Sequence, residues 1–574
     1  MEEKQYLYDR LREYCEEEDH YPFHMPGHKR RMGSMTDPFR IDITEIDGFD
    51  DLHHPSDLLK DAQERAAALY GSEETYFLIN GSTAGLLSAI GACAHARNLA
   101  VPAFGSRKIV MARNCHRSVY HAVYLNRLEP VYLYPEPYGA REQEEQQSLQ
   151  RSAAWKTADG NAADGNAADE NAAGGNAADR NDTAGEESVR HGAEMMLNGR
   201  IRPRDVEEAL SRMENVCAVV ITSPTYDGVI SDVRRIASIA HRHGIPLIVD
   251  EAHGAHFGFH SAFPDSSVHL GADLVIHSLH KTLPSLTQTA LLHVNGNYTD
   301  RELVRRMLNI YQTSSPSYVL MASIDECIRR MQHRGERDLE QLSDMLDRFY
   351  VLTQELEVLA LVRTDDPSRI VIGSGTSRLS GLQICDILRE QYHLELEMAG
   401  PAYALALAAA GDDEEGFVRL AQALLEIDRE LALCARFPER RGADWLEKYK
   451  EYRILSGQMK RDERPPETGI RGMRGIRPEA GVPLYRAWDM PASPKQLGSC
   501  RGCVSGEFVY LYPPGLPMIV PGEVVEEDFI QTVQTLREKG FLFMGCRDEN
   551  MDHLMVLEAA QEEQDPQVVF RVRP

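Results

Sequence analysis

The chain has 574 residues, 43% hydrophobic and 26% charged, an ordinary composition for a globular protein long enough for two or three domains. With 89 acidic against 62 basic residues its net charge is −27, a sign that repels nucleic acid and anionic membranes, so neither is expected as a partner. No apolar run is long enough to span a bilayer, and ten scattered cysteines without a regular framework fit reduced thiols in a cytoplasmic protein.

The N-terminal stretch MEEKQYLYDRLREYCEEEDH has an acidic helical pattern, unlike the basic and apolar start of a signal peptide. Residues 75–96, TYFLINGSTAGLLSAIGACAHA, read as a strand, an Asn80-Gly81 turn and a helix. Ser82 and Thr83 stand at the helix start, where free N–H groups and the helix dipole favour an anion, although plain N-capping has the same signature. KIVMA (108–112) is a strand with His116 in the loop after it. Residues 157–187 then repeat a unit built on Asn-Ala-Ala-Asp with no apolar side chain larger than alanine. Such a segment cannot offset the entropy of ordering, so roughly 141–198 is expected to be a solvated, disordered insertion.

Beyond it strand and helix signals alternate. AVVITSP (218–224) is a strand, and DVRRIASIAHRHG (232–244) puts Val233, Ile236, Ala237 and Ala240 on one helical face and stops at Gly244. IPLIVDEAHG (245–254) and ADLVIHS (272–278) follow as strands. The pattern predicts an α/β fold around an open, mostly parallel sheet, whose ligands bind beyond the carboxyl ends of the strands. Asp250, His253 and the group Ser278 to Lys281 fall there. Residues 331–440 read as mostly helical with a few strands such as SRIVIG (368–373). The Pro- and Arg-rich stretch 462–481 reads as a linker, and 507–523 with a helix near 525–539 as a small C-terminal α/β domain. Cys500 and Cys503 form the one C-x-x-C, without the companions a zinc site needs, so no metal is expected.

Lys281 lies in SLHKTLPSLTQT, a lone amine among hydroxyls and able to form a Schiff base with an aldehyde. Pyridoxal phosphate needs such a lysine, an acid for its ring nitrogen and a cradle for its phosphate. Asp250 at the end of a buried strand and the start of the helix after Asn80 supply the other two.

The blocks FHMPGHKR, FLINGSTAG, RNCHRS, TSPTYDGV, DEAHGAHFGFH, HSLHKTLPSLTQTA and YPPGLPMIVPGE, in this order and spacing from about residue 20 to 560, resemble the ornithine/lysine/arginine decarboxylases. These are pyridoxal-phosphate enzymes of fold type I, the aspartate-aminotransferase fold. The likeness is to the shorter branch, without a receiver-like N-terminal domain. It implies an N-terminal arm (1–60), a major cofactor domain (61–330), a small α/β domain (331–461), and a linker with a C-terminal domain (462–574). It makes Lys281 the Schiff-base lysine, Asp250 the partner of the ring nitrogen and His116 the ring that stacks on the cofactor. Ser82, Thr83, Ser278 and His280 would hold the phosphate, and His253 would flank the ring oxygen. Gly85 and Leu86 stand where longer relatives often carry a hydroxyl and an asparagine, and HKRRMG lacks the double glycine common after the PGH block.

The implied reaction is decarboxylation of arginine, lysine or ornithine to an amine and CO2. A basic substrate requires a carboxylate for its distal cation, and Asp50, Asp51 and Glu523 are the candidates. The second reading is an aminotransferase or another amino-acid lyase on the same fold; an aminotransferase would need an arginine for the α-carboxylate, for which Arg363, Arg369 and Arg378 qualify. A catalytically idle homologue serving as a binding partner is the third reading. Folds of this kind complete each site across a subunit boundary, so at least a homodimer is expected, with 311–323 (YQTSSPSYVLMAS) reaching across.

Overall fold

A computed structural model describes residues 20–29, 38–96, 107–138, 197–377, 379–436, 481–511 and 515–558. Nearly all of the repeat insertion and of the Pro/Arg-rich stretch lies outside the described residues.

Seven strands form the central sheet in the order Glu74–Leu78, Ala290–Val294, Leu274–His277, Leu247–Asp250, Val216–Thr222, Lys108–Ala112, Glu129–Leu133. Strand 290–294 is antiparallel to both neighbours and the remaining pairs are parallel, so six strands point one way. Strands 247–250, 274–277 and 290–294 are buried at every residue, as continuous apolar runs require when helices cover both sheet faces. Helix Val233–Arg242 buries the four predicted residues and Ile239, and the chain leaves it through Gly244 at φ +72°, a conformation glycine adopts without strain. The carboxyl ends of five of the six co-directional strands gather Asn80–Thr83, Arg113–His116, Thr225–Tyr226, Asp250–His253 and Ser278–Lys281 along one sheet edge.

A 35-residue helix, Tyr318–Leu352, leads into a second layer. There the expected mix of helices and a few short strands is found, and strands 360–362, 369–373, 403–407 and 398–399 form a four-stranded antiparallel sheet backed by helices Gly381–Tyr392 and Glu414–Arg436. The run SRIVIG, read as a strand from its β-branched residues, is the strand 369–373 of this sheet.

The N-terminal segment is stitched to this layer, because Tyr21–Phe23 pairs in parallel with Leu394–Leu396. The buried Lys29 ammonium donates to the carbonyls of Pro22 (3.0 Å), His24 (3.1 Å) and Leu407 (2.7 Å), which locks the MPGHK block in place.

At the C-terminal end strand Ala492–Gln496 pairs with His553–Leu557, Val509–Leu511 pairs with Leu516–Ile519, and helix Glu527–Glu538 covers them. Among the described residues no helix is long and apolar enough to cross a membrane, and no group of three or more His, Cys, Asp or Glu is placed to hold a metal.

Candidate active site

Five of these strand ends and the small-sheet layer border a cavity of about 500 Å³, within the range usual for small-molecule sites. Lys281 enters it from the short helix Leu279–Thr282, one turn after strand 274–277 ends. Its Nζ lies 2.8 Å from His253 Nε2. Burial pulls the amine down to about 8, partly opposed by the carboxylates of Asp250 and Glu397. Burial holds His253 well below its ordinary value, with Lys281 adding to the effect, so the ring is neutral and Nε2 accepts from the lysine. Nδ1 then carries the ring proton, and this buried donor has no hydrogen-bond partner among the described residues.

Asp250 closes its strand as a buried carboxylate that accepts one hydrogen bond, 3.2 Å from Ala252 N–H. Burial raises its proton affinity, and the Lys281 charge opposes the rise. A carboxylate so placed favours a cationic partner such as a protonated pyridine nitrogen.

Gly81 takes φ +74° to turn the chain from strand 74–78 into the 14-residue helix Gly81–Ala94. The Asn80 side chain does not cap this helix; its Oδ1 accepts from Thr313 N–H at 3.0 Å instead. The first-turn N–H groups are thus left for an anion, beside the cavity-lining Ser82, Thr83 and Ser278. Ser278 Oγ donates to Ser82 Oγ at 3.0 Å, which brings the two hydroxyls to one spot. His280 lines the same end, held to about 4 by burial and anchored through Nδ1 to the Thr289 carbonyl at 3.0 Å.

Gly85 and Leu86 belong to the packed side of this helix. A Cβ on Gly85 would stand 2.6 Å from Leu78 Cδ1, so the departure from longer relatives serves helix–strand contact. His116 caps helix Arg117–Leu125 with Nδ1, which accepts from the Ser118 hydroxyl (2.8 Å) and N–H (3.3 Å). Burial, followed by Lys281, lowers it to about 3, giving a neutral ring in a fixed plane.

The three carboxylates assigned from sequence to a distal cation have other partners, and none lines the cavity. Asp50 gathers backbone N–H groups of Asp51, Ser56, Asp57 and Leu59, which hold it down at about 2 against the effect of burial, and so ties the loop to helix Leu58–Tyr70. Asp51 takes His53 N–H at 2.8 Å and contacts the His54 ring. Glu523 is buried and paired with Arg113 at 2.9 Å.

Arg363 lies over the Tyr350 ring at 3.9 Å. Arg369 is fully buried and donates to the His253 carbonyl and Ser368 Oγ, both at 2.8 Å. Neither arginine lines the cavity, and Arg378 lies outside the described residues. In segment 311–323 Gln312 Oε1 takes Ile79 N–H at 2.9 Å, and the Tyr318 hydroxyl donates to the Asp50 carbonyl.

Sequence reasoning missed Glu397 and Tyr226, which both line the cavity. Glu397 Oε2 accepts from Met25 N–H at 2.9 Å and Oε1 from the Tyr226 hydroxyl, while the Tyr226 ring packs 4.4 Å from that of His253. Within LELEMAG nothing distinguishes this glutamate from its neighbours; only the pairing of strand 394–396 with the N-terminal strand brings it to the cavity.

Residues 6–163 and 190–370 match the family model described as Orn/Lys/Arg decarboxylase, major domain. The chain belongs to this family. It is 31% identical over 551 residues to the uncharacterized protein YaaO of Bacillus subtilis, covering 92% of this chain and 94% of that one. An arginine decarboxylase of Bacillus anthracis is 26% identical, covering 93% and 94%. Among solved structures the Francisella novicida lysine decarboxylase LdcF superposes with a TM-score of 0.62 at 17% identity, over 89% of this chain and 73% of that one, a likeness of fold. The family's architecture is fold type I, that of pyridoxal-phosphate enzymes acting on amino acids. The site suits that cofactor on three counts: an uncapped helix start beside clustered hydroxyls, a buried carboxylate at a strand end, and an orphaned donor on His253.

Proposed function

We propose that the chain is a pyridoxal-phosphate-dependent decarboxylase of a basic L-amino acid (arginine, lysine or ornithine), of the family's shorter branch. The observation that carries this reading is the placement of Lys281 and the buried Asp250 in one cavity that, among the described residues, no arginine of the small-sheet layer lines. Arg117, an arginine that does line it, donates to the Tyr510 hydroxyl at 2.6 Å.

When bound, pyridoxal phosphate supplies an aldehyde for the lysine and a protonated ring that takes up the electron pair of a broken Cα bond. The chain's residues divide the remaining work. Ser82, Thr83, Ser278, His280 and the helix start, all at one end of the cavity, would hold the phosphate. Asp250 keeps the proton on the ring nitrogen, because a buried carboxylate beside a cation is stabilised only while that cation stays charged. His116, neutral and fixed through Ser118, would stack on the cofactor ring, and the unpartnered Nδ1–H of His253 would be the donor available to the ring oxygen. Lys281, hydrogen-bonded to His253 at 2.8 Å, would be the group that gives a proton to the substrate Cα once CO2 has left. Arg363 and Arg369 stand outside the cavity, so neither of them clamps the α-carboxylate that departs.

The working unit is at least a homodimer on this reading, supported by exposed Phe39 (92%), Ile46, Phe49 and Leu58 around one N-terminal segment. Incubating the purified, cofactor-loaded protein with L-arginine, L-lysine and L-ornithine should release CO2 and the matching amine, from a size-exclusion peak of at least twice the chain mass. Keto acid without CO2 removes the decarboxylase reading, and an active monomer removes the dimer.

A further inference from the structure

Resting on the reading above, the structure assigns the choice of a cationic side chain to Glu397. Among the described cavity-lining residues the carboxylates are Asp250 and Glu397, and on that reading Asp250 is taken by the ring nitrogen. A lysine ammonium or an arginine guanidinium leaving water for this cavity needs an anion to replace its hydration.

Glu397 is built for that task. Each oxygen accepts one donor, Met25 N–H on Oε2 and the Tyr226 hydroxyl on Oε1, and a carboxylate has about four acceptor positions, so room remains for a bidentate guanidinium or an ammonium. The two donors come from separate parts of the chain, the MPGHK block and the loop after strand 216–222, so the group is held before a ligand arrives. Glu397 belongs to the small-sheet layer, whereas Lys281 belongs to the edge of the large sheet. The row Glu397, Tyr226, His253, Lys281 links them through a hydrogen bond, a ring contact at 4.4 Å and a hydrogen bond at 2.8 Å. An amino acid attached at the Lys281 end therefore has its distal end to place, and the carboxylate lies along the same row.

Equilibrium absorbance titration of the cofactor-loaded protein tests this with two matched pairs, L-arginine against L-citrulline and L-lysine against L-norleucine. The wild type should prefer the cationic member of each pair. E397Q should bind that member roughly 10- to 100-fold more weakly, the usual worth of a hydrogen bond to a charged group, and bind the neutral member within about threefold of wild type. Tyr226→Phe keeps the carboxylate and should keep the preference. Equal losses for both members, or a preference that survives in E397Q, overturn the assignment. So does a preference lost in D51N instead, which would place the anion on Asp51. Should E397Q fail to fold, E397D decides: with the charge drawn back by one methylene, the preference must shrink, and an unchanged one overturns the assignment. A wild type that forms keto acid yet prefers cations refutes decarboxylation and upholds Glu397. One that releases CO2 without preferring cations refutes Glu397 alone.

Discussion

At Lys281 the chemistry depends on one proton. An amine attacks an aldehyde only as the free base, and burial brings this one down to about 8 while Asp250 and Glu397 push it back up. Below that value the ammonium donates to His253; above it the lone pair is available. Uptake of pyridoxal phosphate by the apoprotein should therefore accelerate as pH rises and level off above about 8, as followed by absorbance. D250N removes part of the upward pull, and its midpoint should lie lower. A rate indifferent to pH between 6 and 9 would separate Lys281 from the capture step.

Four adjacent strands of the large sheet carry a polar row through its core. Glu251, directly after strand 247–250, bonds His277 Nε2 at 2.7 Å; His277 Nδ1 meets His293 Nε2 at 3.0 Å; His293 Nδ1 meets Thr75 Oγ1 at 2.8 Å. The Tyr70 ring packs on both imidazoles, at 4.9 and 4.7 Å. Each imidazole has one acceptor and one donor position, so the row is complete with Glu251 protonated or, all bonds reversed, ionised. Burial raises Glu251 from 4.5 to about 7, against hydrogen bonds from Ser266 and Ser267. The folded state thus holds a proton that the unfolded state releases between those values. That stabilisation is complete below 4.5 and disappears as pH climbs through about 7. Urea unfolding should show the wild type losing roughly 3 kcal/mol relative to E251Q between pH 4.5 and 8, the worth of such a shift, because glutamine resembles the protonated acid. A constant difference between the two proteins would contradict the assignment.

Across the whole molecule, Arg113 and Glu523 join segments 410 positions apart. Arg113 also donates to the carbonyls of Pro517 (2.7 Å) and Met518 (3.3 Å), so the loop that carries His116 is clamped by the C-terminal region. Removing one member of a buried pair strands the other charge. E523A should cost about 3–5 kcal/mol, seen as a lower urea midpoint, with E523Q milder. A variant of full stability and reduced affinity for basic amino acids would instead return Glu523 to the substrate.

Strands, the helix stop at Gly244 and the meeting of Lys281, Asp250 and Ser278 at one sheet edge were all legible in the sequence. Each follows from local rules: apolar runs make buried strands, and buried parallel strands present their carboxyl ends together. The destination of the acids was not legible. Asp50, Asp51, Glu523 and Glu397 are equivalent as letters, because a carboxylate is defined by the donors that reach it. Asp50 found four backbone N–H groups nearby, Glu523 found an arginine 410 residues away, and Glu397 reached the cavity through a strand pairing between residues 21–23 and 394–396. Those contacts depend on distant segments meeting, and only the tertiary structure decides which of them do.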